Sequence, residues 1–209
     1  MHAAASESLE TEIETARLLL RAPRLADVGA MARLANDPGV SMMTARMPHP
    51  YGVDDAKAFI QRQQAETASG VSAGFAIERL GDGALLGVVG FMHGKKNLVE
   101  IGYWLGRPHW GAGYATEAAR AVVDHIFEAT GAEGITASVR VINDASRRVL
   151  EKCGLRYVES GLDPAPARGG ALPVDRFRLT RRDWTSFKAW RPATSRPRVV
   201  AALEPALTT

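Results

Sequence analysis

Two glycines one residue apart, Gly111 and Gly113, stand immediately before a run in which Ala115, Ala118, Ala119, Val122, Val123, Ile126 and Phe127 recur at three and four. That spacing predicts a helix from about Gly113 to Ala129 with one face packed on a sheet. The first N–H groups of a helix lack internal partners, and the aligned peptide dipoles place about half a positive charge beside them. Without a Cβ at Gly111 or Gly113, an anion can approach those amides, and a phosphate or diphosphate is the group that suits them. A plain structural turn would have the same residues, so the surroundings must decide. A nucleotide-hydrolysing phosphate loop needs a lysine at the helix start, which Gly111-Ala112-Gly113 does not provide. A dinucleotide fingerprint wants a third glycine or alanine where Thr116 stands, and an early strand–helix–strand location.

A second chemical candidate lies just upstream. Val99, Ile101, Tyr103 and Leu105 alternate with Glu100, Gly102 and Trp104, so a strand here carries a carboxylate on the face opposite its apolar one. Burial would raise that carboxyl from about 4.3 toward the range of a general base; the plainer alternative is an edge glutamate in water or in a salt bridge. Downstream, Asn143 and Ser146 open another helical run, where both residue types are good caps. Cys153 shares the apolar side of that run with Val149 and Leu150 and reads as core. His49, His93, His109 and His125 have no ligand spacing, so no metal is indicated; His109, which flanks the glycines, reads as loop surface or as a contact to phosphate.

These groups need elements to hold them. The 209 residues, 46% hydrophobic and 23% charged, suit one globular domain that can bury a core without metals or disulfides. One cysteine excludes an intrachain bridge, no apolar run is long enough for a membrane span, and the acidic start, with Glu7, Glu10, Glu12 and Glu14, lacks a signal-peptide h-region. A cytoplasmic protein is the expectation. The chain divides into an acidic leader at 1–15, one domain at 16–183 and a basic tail at 184–209. The net charge of +3 conceals a stretch from Arg176 to Arg198 with eight basic residues and one acid, +7 against −4 for the rest. Such a run could meet RNA or a ribosomal surface, or be only a solvated edge.

Along the chain, Arg17–Arg21 reads as a strand, Leu25–Ala35 and Asp54–Ala68 as helices of one lobe, and Ser41–Gly52 as a loop. Three strands then form an antiparallel meander, Ser72 onward, Ala84–His93 and Leu98–Leu105, with turns at Gly81-Asp82-Gly83 and Gly94–Asn97. After it the pattern changes to helix Gly113–Ala129, strand Ile135–Arg140, helix Asp144–Lys152 and a strand from Leu155, which are βαβ units calling for parallel neighbours. A Pro- and Gly-rich loop, Gly161–Gly170, precedes a last strand at Val174–Thr180. The fold class is α/β with a mixed sheet.

Three runs in this order, Glu100-Ile-Gly-Tyr-Trp-Leu105, Trp110-Gly-Ala-Gly-Tyr-Ala-Thr-Glu-Ala118 and Asn143-Asp-Ala-Ser-Arg-Arg-Val-Leu-Glu-Lys-Cys-Gly154, resemble the GNAT acetyltransferases, particularly their RimJ/RimL-like branch. The resemblance covers roughly Arg17 to Thr180. It implies acetyl-coenzyme A as cosubstrate, its pyrophosphate on the amides of Gly111, Ala112, Gly113, Tyr114 and Ala115 with Thr116 nearby. By the same resemblance, the strand amides near Tyr103 and Trp104 hold the thioester carbonyl, and the pantetheine runs beside Leu105 like an added strand. In the family pattern Asn143 bonds the pantetheine end and Ser146 protonates the departing thiolate; Glu100, three residues upstream of Tyr103 and so about 10 Å away along an extended strand, is expected to act as base through a water relay. Trp110 stands where many relatives have Arg or Gln, which shifts phosphate binding onto backbone and dipole. The sequence leaves the oligomeric state open; the resemblance admits a homodimer, dimers being common in the branch.

The acceptor stays open between a ribosomal-protein N-terminal α-amine and small amines such as antibiotics or polyamines. An α-amine is about a tenth neutral at pH 7 and a lysine less than about 0.1%, so the former is the easier nucleophile. A non-catalytic acyl-coenzyme A binding module and an RNA-binding module are the competing classes. The acceptor is expected to enter between the helical lobe, the Met42–Tyr51 loop and the Ser160–Gly170 loop.

Overall fold

A computed structural model describes residues 12–189 and the strand Ser195–Arg198. Nine strands form one sheet: β1 (Glu12–Thr15), β2 (Leu18–Arg21), β3 (Ser72–Arg79), β4 (Leu85–His93), β5 (Leu98–Leu105), β6 (Gly134–Arg140), β7 (Arg156–Ala165), β8 (Gly170–Thr180) and β9 (Ser195–Arg198). The helices are α1 (Val28–Ala35), α2 (Pro38–Ser41), α3 (Val53–Ala68), α4 (Tyr114–Ala129), α5 (Asp144–Lys152) and α6 (Arg181–Lys188). Across the sheet the order is β7-β8-β6-β5-β4-β3-β2-β1-β9.

The alternating strands present an apolar set to each side, and helices cover both. On one face Ala118, Ala119, Val122, Val123, Ile126 and Phe127 of α4 pack with Phe75, Leu86, Val99, Ile101, Ile135 and Phe177. On the other, Met31, Leu34 and Ala35 of α1 and Ala56 and Ile60 of α3 pack with Ala76, Leu85 and Val88. Trp104 lies against this second core, whereas Leu105 belongs to the first.

The lobe is tied down by a buried charge cluster. Arg21 forks onto both oxygens of Asp27 at 2.8 Å and reaches Glu78 at 2.6 Å. Burial pushes the Asp27 carboxyl up, but the bonds from Arg21 and from the Arg24 N–H more than offset this and leave it below the ordinary value of 3.8.

Four expectations need correction. Glu12–Thr15 is not leader: β1 pairs with β2 and with β9, and Ile13 and Thr15 point into the interior. A four-residue strand with one apolar residue gives too little period to read. At the other end α6 runs across the 183/184 boundary, so the sheet and its helices extend past both limits of 16–183.

The two βαβ units are unlike. β5 and β6 are parallel neighbours, but β8 inserts between β6 and β7, antiparallel to each. Gly161–Gly170 is mostly strand, a hairpin in which Asp163 stands opposite Leu172, closed by a turn at Pro166–Arg168. Its prolines are tolerated because Pro164 lies in the edge strand and Pro173 lies one residue beyond the pairing with β6.

The basic run is dispersed as well. Arg176 pairs with Glu159 and Asp163. Arg181 donates to the carbonyls of Phe127, Thr130 and Ala132, where a cation offsets the negative end of α4. Lys188 pairs with Glu128. The tail beyond Ala189, apart from the backbone of β9, lies outside the described residues.

Candidate active site

The site begins where the ladder between β5 and β6 stops. The two strands share three registered pairs, Leu98 with Gly134, Val99 with Ile135 and Glu100 with Thr136, and then part. Beyond that point a wedge opens between Ile101–Leu105 and 137–140. Gly106 N–H bonds the Leu86 carbonyl at 2.9 Å, on the β4 side. Backbone polar groups alternate in direction along a strand, so those of Tyr103 and Leu105 face away from β4, into the opening. Consistent with this, the Leu105 carbonyl accepts the Trp110 indole N–H at 2.8 Å.

At the mouth of the wedge stands the glycine loop. Gly111 and Gly113 have φ of 77° and 82°, left-handed values that a side chain resists. Gly113 is the residue before α4 and supplies no side-chain cap, so the first amides of the helix are open to a ligand. A Cβ at Gly111 would meet nothing within 4 Å. Ala112, Tyr114, Ala115 and Thr116 complete the expected cradle. Trp110 fastens the loop to β5 and stays about half exposed.

Two arginines that sequence spacing did not reveal flank this loop. Arg17 bonds Glu117 at 2.7 Å and the Ala112 carbonyl at 3.1 Å, and its guanidinium lies 4.5 Å from the Tyr114 ring centre. Glu117 also accepts from the Thr15 hydroxyl at 2.7 Å and the Arg17 N–H at 2.9 Å, so the turn from β1 to β2 is held against α4. Arg79 pairs with Asp82 and with the Tyr114 side chain, which raises its pKa. Burial and the Arg79 charge lower the pKa of His109 nearby. Arg17 and Glu117 are 100 residues apart, and no local signal in the sequence could have joined them.

The alternation expected for β5 holds. Val99, Ile101 and Leu105 are buried under α4, while Glu100, Gly102 and Trp104 occupy the other face. Partial burial raises the Glu100 carboxyl above its ordinary 4.5; Arg46 pulls it back and Asp163 adds to the rise. A Cβ at Gly102 would meet nothing within 4 Å, so space opens next to that carboxylate.

Above it lies the Met42–Tyr51 loop. The Met42 carbonyl accepts from Arg140 at 2.6 Å, that of Ala45 from the Ala167 N–H at 3.2 Å, and those of Ser41 and Met47 from Arg168 at 2.6 and 2.5 Å. The loop and the β7–β8 hairpin thus meet, and Arg46 of the one and Asp163 of the other both act on the Glu100 charge.

Across the wedge, Asn143 accepts the Ser146 N–H at 3.1 Å as the N-cap of α5. The Tyr103 hydroxyl lies 2.9 Å from Ser146 Oγ and 3.1 Å from the Ser146 carbonyl; burial raises its pKa well above the usual tyrosine range. Tyr103, expected to act through its backbone alone, therefore also positions Ser146. Cys153 is 1% exposed, its Sγ 3.8 Å from the Thr116 carbonyl, in the core as expected. Among the described residues no group of three or more His, Cys, Asp or Glu could hold a metal, and no helix is long and apolar enough to cross a membrane.

A mixed α/β sheet that opens beside a glycine-led helix is an arrangement that matches acetyltransferase structures in fold. The chain belongs to the GNAT acetyltransferases: the acetyltransferase (GNAT) domain family matches residues 17–156. It is 31% identical over 182 residues to the uncharacterized N-acetyltransferase p20 of Bacillus licheniformis, an alignment covering 85% of this chain and 98% of that protein. In fold it is similar to Mycobacterium smegmatis RimJ in complex with CoA-disulfide, with a TM-score of 0.70, 23% identity, and 87% and 96% of the two chains covered. It is likewise similar to RimL, the ribosomal L7/L12 α-N-protein acetyltransferase in complex with coenzyme A, with a TM-score of 0.69, 18% identity, and coverage of 79% and 95%. This chain is an N-acetyltransferase of that family.

Proposed function

We propose that the protein takes acetyl-coenzyme A as donor and transfers the acetyl group to a primary amine in a ternary complex. The observation that carries this is the wedge, with an uncapped helix end at its mouth and outward-facing backbone groups along one wall. The residues fit the coenzyme. Its phosphates are held by the amides from Gly111 to Ala115, whose glycines leave the approach clear, with Arg17 and Arg79 supplying the cations that Trp110 does not. The backbone groups of Tyr103 and Leu105 pair with pantetheine as an added strand would. When bound, the coenzyme supplies an acetyl group activated as a thioester.

The remaining work falls to the chain. Glu100 receives the proton of the acceptor ammonium through water, because Glu100 and Tyr103 are three residues apart, about 10 Å along an extended strand. Its raised pKa makes it a better proton acceptor than an ordinary carboxylate. The Tyr103 N–H faces the place where the thioester oxygen gains charge. Ser146, held by the Tyr103 hydroxyl, is placed to return a proton to sulfur. An N-terminal α-amine is the acceptor that we favour, in keeping with the activity of RimL, a ribosomal L7/L12 α-N-protein acetyltransferase of similar fold.

Calorimetric titration with acetyl-coenzyme A, followed by thiol release over a panel of N-terminal peptides and small amines, tests this. Saturable binding and amine-dependent release are expected; no affinity for the coenzyme overturns the proposal, and binding without release leaves only an acyl-coenzyme A sensor.

A further inference from the structure

Three arginines stand in or against the Met42–Tyr51 loop, and the charge of one of them acts on Glu100. Arg46 lies in the loop pinned by the Ala45 and Met47 carbonyls to the β7–β8 hairpin, near enough for its charge to act on Glu100. Arg140 and Arg168 hold that loop through backbone carbonyls, and the Nε of each is buried without a partner. None of the three makes an ion pair with a carboxylate of the described residues. The acids close by are spoken for: Glu159 and Asp163 both pair with Arg176, at 2.8 and 2.5 Å. Among the described residues Glu100 is the acid of this group that makes no direct ion pair, and the charge of Arg46 in the loop above acts on it.

An amine seated at Glu100 would bring the atoms next to it under Arg46. A second positive charge there meets like charge, which disfavours a partner, while a carboxylate meets a cation that makes no direct ion pair among the described residues. We infer that the acceptor is an amine flanked by a carboxylate, either a peptide with an acidic residue beside its N-terminus or a free acidic amino acid, and that polycationic amines are rejected. This rests on the acetyltransferase proposal and narrows its acceptor class.

The test measures thiol release for the C-terminally amidated peptides Ala-Asp-Gly, Ala-Asn-Gly and Ala-Lys-Gly, for free aspartate and for spermidine, with the full-length chain and with Arg46→Glu and Arg46→Gln. The better of the two acidic-flanked amines should exceed Ala-Lys-Gly and spermidine by about tenfold in kcat/KM, and which of the two leads identifies the source. Arg46→Gln should flatten the ranking and Arg46→Glu invert it, with KM for acetyl-coenzyme A unchanged. Turnover that ranks Ala-Lys-Gly or spermidine level with or above the acidic amines, or a ranking indifferent to Arg46→Glu, overturns the acceptor assignment alone. No release with any of the five amines overturns the acceptor assignment, and joined with no coenzyme affinity it overturns the transferase proposal beneath it as well.

Discussion

Glu100 and Ser146 illustrate what a single residue's surroundings add to its type. The strand alternation already separated Glu100 from Val99 and Ile101, and that separation needed no structure. Its neighbours needed one: Arg46 and Asp163 come from a distant loop and an edge strand. Because burial raises its pKa above 4.5, the base form is lost as pH falls through that raised value, so kcat/KM should drop on an acid limb above the ordinary glutamate range. Glu100→Gln should remove the limb and lower the plateau about 10²-fold; an unchanged pH–rate profile would exclude Glu100 as the base. For Ser146 the informative variant is Tyr103→Phe, which deletes the hydroxyl 2.9 Å from Ser146 Oγ and leaves the backbone in place. If Ser146 donates the proton, Tyr103→Phe and Ser146→Ala should depress kcat by similar factors, with less than additive loss in the double variant. Full additivity would mean that the two hydroxyls act apart. The arginines of the glycine loop were not legible at this scale, because ion pairing across 100 residues leaves no pattern along a chain.

Elements with a long period were readable and short ones were not. α4 repeats its apolar residues over four turns, and its extent was found almost to the residue; β1 has one buried aliphatic, Ile13, among acids. The β7–β8 hairpin was hidden by Pro164, Pro173 and its glycines, which signal a turn only where a strand has neighbours on both sides. Two elements make separable predictions. Gly113 holds φ 82° at the start of α4, so Gly113→Ala should cost about 1–2 kcal/mol from the left-handed backbone and raise KM for acetyl-coenzyme A, because the new Cβ stands at the anion's approach. Equal KM in the variant would show that the phosphates lie elsewhere. The Arg21–Asp27–Glu78 cluster joins β2, β3 and the entry to α1, with Asp27 5% exposed. Asp27→Asn leaves Arg21 short of a partner and should cost about 3–5 kcal/mol in urea unfolding at pH 7. Since the folded-state pKa of Asp27 lies below its ordinary value of 3.8, its contribution is present above that value and lost as pH falls through the folded one. The gap between native and variant should therefore narrow at pH 3.

The molecule as a whole is a sheet with a weak seam. Only three residue pairs join β5 to β6, and the part of the sheet from β9 to β5 is otherwise linked to β6, β8 and β7 mainly through α4 and the core beneath it. This architecture follows from connectivity that the sequence pattern left ambiguous: two helices each following a strand suggested two parallel pairs, and the placement of β8 between β6 and β7 depends on which backbone edges remain free, not on any local residue. The seam ties function to stability. A donor that pairs with the backbone of Tyr103 and Leu105 and is anchored at α4 fills the gap between the two halves, so its binding free energy adds to the cohesion of the whole. At a free acetyl-coenzyme A concentration one hundred times Kd, the folded state gains about 2.7 kcal/mol, which for a chain of this size raises Tm by about 5–10 °C. Amide hydrogen exchange should slow most at Tyr103, Leu105 and Tyr114, the backbone positions that face the wedge or begin α4, and little in β1 to β3. Arg17→Met, which removes a cation from the loop, should lessen the rise in Tm at a fixed coenzyme concentration. If saturating coenzyme left Tm unmoved, or slowed exchange across the far strands while sparing β5 and α4, the wedge would not be where the donor sits.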